Sequence, residues 1–213
     1  MQNRRRFIRQ LLAAAGFALA LPTLSLAQTA GKDYVVVEPP QATDSPGKIE
    51  VLEFFSYGCP HCNDLHPVIS AWAAKLPADV QFRRAPVSFG RAAWANLSRL
   101  YYTLEASGDL GKLDNAVFQA LHAERVNLFE ESAIVAWIEK KGGDSKRFAD
   151  TFSSFGIMSK AKRADQMATT YRIPGVPTLI IDGKYLISGK EHKEMLAIAD
   201  QLIAKIRAER GKK

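Results

Sequence analysis

An apolar run, Val51-Leu52-Glu53-Phe54-Phe55, is followed almost at once by Cys59-Pro60-His61-Cys62, and a helical pattern begins directly after it. A strand that delivers a C-x-x-C pair into the start of a helix is a redox arrangement. It restricts the chain to folds in which a buried strand exits into an exposed helix N-terminus. These are the only 2 cysteines in 213 residues, so disulfide chemistry within the chain has to use Cys59 and Cys62 alone.

The other zinc-like or structural uses of such a pair are weaker. Zinc takes about four ligands, and His61, His66, His122 and His192 offer no second cysteine pair to complete a set. A purely structural disulfide would close a loop too small to constrain the unfolded chain much. The sequence therefore assigns no metal and no cofactor.

The N-terminus reads as a targeting segment. Arg4, Arg5, Arg6 and Arg9 form a basic head, Leu11 to Leu21 an apolar stretch, and Ser25-Leu26-Ala27 a small-x-small cleavage signal. The apolar stretch stops at Pro22, short of the roughly 20 residues a membrane span needs. A cleaved leader over 1–27 is expected, by the Sec or the twin-arginine route, since Arg4-Arg5-Arg6-Phe7-Ile8-Arg9 is similar to the twin-arginine signal. Removing it takes away four arginines and no acids, which lowers the net charge from +7 to +3. Nucleic-acid binding needs a clustered basic footprint, and a mixed surface of that charge offers none. Export would place the thiols where disulfides persist or cycle.

Beyond the leader, Val35-Val36-Val37 reads as a short strand and Ile49 to Ser56 as a strand covered on both faces. Leu65, Ile69, Trp72 and Leu76 carry a helix interrupted by Pro67, and Val80 to Pro86 returns as a strand. From Gly90 to about Tyr171 only helical patterns occur, including the stripe Leu110, Leu113, Val117, Leu121. Thr178 to Ile181, the two-residue turn Asp182-Gly183 and Lys184 to Ser188 read as a hairpin, and Glu191 to about Arg207 as a last helix.

The motif assigns roles to its members. With Cys59 at the cap position, Pro60 becomes the first helical residue, where its missing N–H costs nothing. Cys59 is then expected to face solvent, with helix amides and His61 stabilising its thiolate. Cys62, one turn in, is expected to be buried and protonated. Cys59 therefore makes the mixed disulfide and Cys62 resolves it. Glu53, an acid among core residues, should have a raised pKa. Two readings of it stand: proton exchange with Cys62, which is preferred, and a structural ion pair with Arg83 or Arg84. Val176-Pro177 opens a strand after a turn and is a candidate cis peptide.

Together these segments resemble the thioredoxin superfamily, and within it the DsbA-type periplasmic thiol:disulfide oxidoreductases, over nearly all of the mature chain. Val51 to Ser56 with Cys59-Pro60-His61-Cys62 is similar to that family's active-site strand and motif. Gly175-Val176-Pro177 is similar to its cis-proline loop, and Pro67 to its helix kink. The resemblance implies an α/β thioredoxin-like fold with an inserted all-helical domain. Residues 28–89 and 172–213 would form the thioredoxin-like part and 90–171 the insertion. A Cys59 pKa of about 3.5, the value known for a DsbA, would favour the reduced form by about 5 kcal/mol at pH 7, or about 100 mV. His66 occupies a position where some relatives carry an acid, and a solvated helix residue is expected there.

The implied function is a periplasmic disulfide oxidase acting on reduced, unfolded or folding secreted proteins. A DsbB-type membrane quinone reductase would reoxidise it, and a monomer is expected. An isomerase, a cytochrome-maturation reductase and a chaperone or peptide-binding module are the alternatives. The stretch between leader and active-site strand is too short for the dimerisation domain that isomerases of this kind carry.

Overall fold

A computed structural model describes residues 29–211, so the expected leader lies outside the described residues. Among the described residues five strands form one sheet of order β1-β5-β4-β2-β3. They are β1 (Val35–Val36), β2 (Ile49–Phe55), β3 (Val80–Pro86), β4 (Thr178–Ile181) and β5 (Tyr185–Ser188). β2 runs parallel to β3 and antiparallel to β4, while β4 pairs with β5 and β5 with β1, both antiparallel. All seven residues of β2 are buried. That burial is the reason its pattern is continuous rather than alternating, for it lies inside the sheet with both faces covered.

The parallel β2–β3 pair needs a crossover, and α1 (Pro60–Ala73) supplies it. Five helices separate β3 from β4: α2 (Ala92–Ser107), α3 (Leu110–His122), α4 (Glu131–Lys140), α5 (Ser145–Phe152) and α6 (Phe155–Thr170). α7 (His192–Arg210) closes the order. Local chemistry sets several ends. Asp144 and Ser154 cap α5 and α6 by accepting from the backbone N–H of Arg147 and Ile157. Gly108, at φ 80°, terminates α2.

Three apolar clusters hold these layers. Ile49 and Val51 of β2 pack with Leu65 and Ile69 of α1 and the inner face of α7. Leu52 and Phe54 point the other way, against Ala164 and Ala168 of α6. Phe55, Tyr57 and both cysteines pack against residues of the helical block, including Leu97, Tyr101, Val117 and Phe118. The redox motif thus sits where the sheet meets the helical block.

Two local expectations need correction. α1 runs unbroken through Pro67, so that proline does not interrupt the helix. Asp182 and Gly183 do adopt the positive φ of the predicted turn, at 52° and 67°. The partner strand nevertheless pairs one residue later, Ile181 opposite Tyr185, so Lys184 joins the turn. Gly183 is required there twice over. Its φ is left-handed, and a Cβ would collide with the carbonyl oxygen of Gln41, whose N–H donates to the Gly183 carbonyl at 3.0 Å.

Candidate active site

Cys59 is the N-cap residue of α1, extended at φ −95° and ψ 121°, with Pro60 opening the helix. Its own N–H donates to the Ser56 carbonyl at 3.1 Å, and its carbonyl accepts from Asn63 N–H at 3.0 Å. Cys59 is only 6% exposed and Cys62 1%. The expectation that Cys59 faces solvent is therefore corrected: Val176 roofs it, and its Sγ donates to the Val176 carbonyl at 3.5 Å. Pro60 and His61 are exposed beside it. The Val176–Pro177 peptide is cis, and both residues are half-buried next to the sulfur.

The two thiols are electrostatically unequal. A hydrogen bond from the Cys62 thiol lowers Cys59 to about 6, with the backbone amides of Cys62 and His61 and the charge of His61 adding to the effect against desolvation. At pH 7 that favours the thiolate about tenfold. The bias toward the reduced form is weaker than a pKa of about 3.5 would set. Cys62 is pushed far above the ordinary thiol range, first by burial and then by Cys59, with a smaller contribution from Glu53 when that carboxyl is ionised.

Glu53 is fully buried. The register of β2 and β3 sets Arg84 directly opposite it, and Arg83 opposite Leu52 on the other face. Arg84 Nε donates to Glu53 Oε2 at 2.8 Å, while Arg83 pairs with Glu50 and Asp44. The ion pair with Arg84 is thus present. Glu53 Oε1 has no hydrogen-bond partner among the described residues. Burial raises the Glu53 pKa above the ordinary value, although Arg84 opposes this.

Four residues that the sequence reading did not single out for this site complete it. Arg84 Nη1 also donates to Asp114 Oδ2 on α3, at 2.7 Å. Tyr57 OH donates to Asp114 Oδ1 at 2.5 Å. His122 Nε2 lies 2.7 Å from the Tyr57 carbonyl oxygen, and Phe118 lies between the His66 and His122 rings. A signal for them exists: Asp114 falls on the same helical stripe as Leu110, Val117 and Leu121, where an acid is anomalous. His66 is corrected outright. It is 7% exposed rather than solvated, its Nε2 is 3.6 Å from Asp114 Oδ2, and burial lowers its pKa.

Comparison with known proteins agrees with this geometry. The family model described as a DSBA-like thioredoxin domain matches residues 50–199. The chain belongs to the DsbA-like thioredoxin family. The thiol:disulfide interchange protein DsbA of Pseudomonas aeruginosa is 40% identical over 208 residues, covering 94% of this chain and 98% of that protein. The DsbA of Bordetella parapertussis is 38% identical over 205 residues, covering 94% and 97%. The crystal structure of Pseudomonas aeruginosa DsbA superposes with a TM-score of 0.82 at 41% identity, covering 87% of this chain and 97% of that one. That of DsbA from Xylella fastidiosa gives 0.80 at 29% identity, covering 85% and 98%. The sheet and helices described above are accordingly a DsbA-like thioredoxin fold.

Proposed function

We propose that this chain is an exported protein disulfide oxidase that donates the Cys59–Cys62 disulfide to reduced, folding secreted proteins. It is a thiol:disulfide oxidoreductase, and the inequality of its two buried thiols carries the reading. A substrate thiolate attacks Cys59 Sγ, the Cys59–Cys62 bond breaks, and Cys62 leaves with the electron pair. The leaving sulfur takes up a proton, for which Glu53 is the donor. A second substrate thiolate then attacks the substrate sulfur of the mixed disulfide and expels Cys59 as a thiolate. The substrate has lost two electrons and the chain has gained them. The low pKa of Cys59 supports this direction, because a good leaving thiolate makes the reduced form the favoured product.

Val176 and Pro177 form the wall beside which the substrate lies, with Pro60 and His61 on the other side of the sulfur. Residues 90–171 act as the helical insertion between the two thioredoxin-like parts, 28–89 and 172–213. The compartment is the periplasm, reached after removal of a signal peptide over 1–27. A DsbB-type membrane quinone reductase takes the two electrons back, and the chain works as a monomer.

The test is stoichiometric. Oxidised protein mixed with a reduced peptide bearing two cysteines should yield the peptide disulfide and two thiols on the protein. A peptide that stays reduced overturns the reading. In a glutathione redox titration, a potential near the thioredoxin value of about −270 mV would point instead to a reductase.

A further inference from the structure

Arg84 is one guanidinium serving two carboxylates. It is buried, with its side chain 10% exposed and its plane stacked 3.8 Å over the Phe55 ring. Nε donates to Glu53 and Nη1 to Asp114. One positive charge cannot neutralise two neighbouring negative ones in a site this dry, so the two acids compete. The competition is unequal. Asp114 is 17% exposed against 1% for the Glu53 side chain, it also accepts from Tyr57 OH, and His66 stands 3.6 Å away. Asp114 thus has several polar neighbours and some access to solvent, whereas Glu53 keeps one oxygen with no partner among the described residues.

We propose that Asp114, from the helical block, is a positioning residue for the thiol chemistry: by sharing Arg84 it makes Glu53 hold its proton more tightly than the Arg84 pairing alone would allow. This deepens the proposed function and rests on Glu53 serving Cys62 there. Before reaction Glu53 retains the proton that the departing Cys62 sulfur requires. After giving it up, the carboxylate is stabilised by Arg84 at once. The charged and titratable groups facing the pair are Arg84 from β3, Asp114 from α3, Tyr101 from α2, Tyr57 from the loop after β2, and His66 with both cysteines from α1. The negative charge of Asp114 raises Glu53 in the same direction. Asp114 acts through Arg84 and through its own charge, and makes no hydrogen bond to either sulfur.

The experiment is a carbon-13 NMR titration of side-chain carboxyls in the full mature chain, with the Glu53 signal identified by its loss in Glu53→Gln. In the unmodified protein Glu53 should titrate above the ordinary glutamate range. In Asp114→Asn its midpoint should fall by about one to three pH units, and Asp114→Glu should restore it. A purely structural Asp114 would alter stability and leave that midpoint in place. An unchanged midpoint in Asp114→Asn overturns the inference. So does a Glu53 midpoint within the ordinary glutamate range in the unmodified protein, a result that needs no variant to fold. If the midpoint falls and the pH profile of peptide oxidation does not follow, the control of Glu53 by Asp114 stands and the role of Glu53 at Cys62 fails.

Discussion

Cys59 Sγ lies 3.5 Å from the carbonyl oxygen of Val176, a residue 117 positions further along the chain. The contact places the Cys59 sulfur against the cis Val176–Pro177 peptide, while Cys62 is the more deeply buried of the two. In the proposed function a substrate thiolate approaches Cys59, the less covered of the two sulfurs, beside this backbone edge.

The two cysteines should fail differently. Cys59→Ser abolishes oxidation of a reduced peptide and forms no covalent adduct. Cys62→Ser retains the attackable sulfur, so a peptide activated as a mixed disulfide accumulates on Cys59 without resolution. Intact-mass spectrometry distinguishes the two. An adduct on the Cys59→Ser protein would contradict the assignment.

The stability of the reduced protein should depend on pH through Cys59. Its pKa falls from 9.0 to about 6 on folding. A depressed pKa stabilises the folded state fully above the unfolded value, and that contribution fades as pH falls through the folded one. The melting temperature of the reduced form should therefore rise relative to that of Cys59→Ser between about pH 6 and pH 9. Thiolate absorbance at 240 nm should titrate near pH 6 in the same protein.

His66 should act in the same sense, over a more acidic range. Burial lowers its pKa below 6.5, so the unfolded chain takes up a proton there before the folded one does. That stability is lost as pH drops below about 6.5. His66→Gln should flatten this part of the curve, and thermal unfolding at pH 7 and pH 5 compares the two proteins directly.

Gly183→Ala should destabilise the fold without touching the thiols. The residue sits at φ 67° and its added Cβ would meet the Gln41 carbonyl. A cost of about 1–3 kcal/mol is expected for backbone strain of this kind. Denaturant unfolding should show that loss while the Cys59 absorbance titration keeps its midpoint.

Much of this site was legible because it is local. The cap position of Cys59, the helix opened by Pro60, the burial of Cys62 one turn in and the anomaly of Glu53 follow from neighbouring residues and helical or strand periodicity. The two-residue turn was legible in its dihedrals and missed in its register, because pairing of β5 depends on its partner strand. His66 was misread for a related reason: whether a helix face is wet is decided by what packs on it, here Phe118 and Asp114 of α3.

Neighbouring residues alone set one pair of cysteines at the exit of a buried strand and the start of a helix, with an acid in that strand. What surrounds that pair depends on how distant elements pack. The parallel register of β2 and β3 chose Arg84 over Arg83 for Glu53. The placement of α3 brought in Asp114 and His122, and the cis-proline loop roofed Cys59. These contacts join residues far apart in the chain, and periodicity reports which face a side chain occupies without saying which element will cover it.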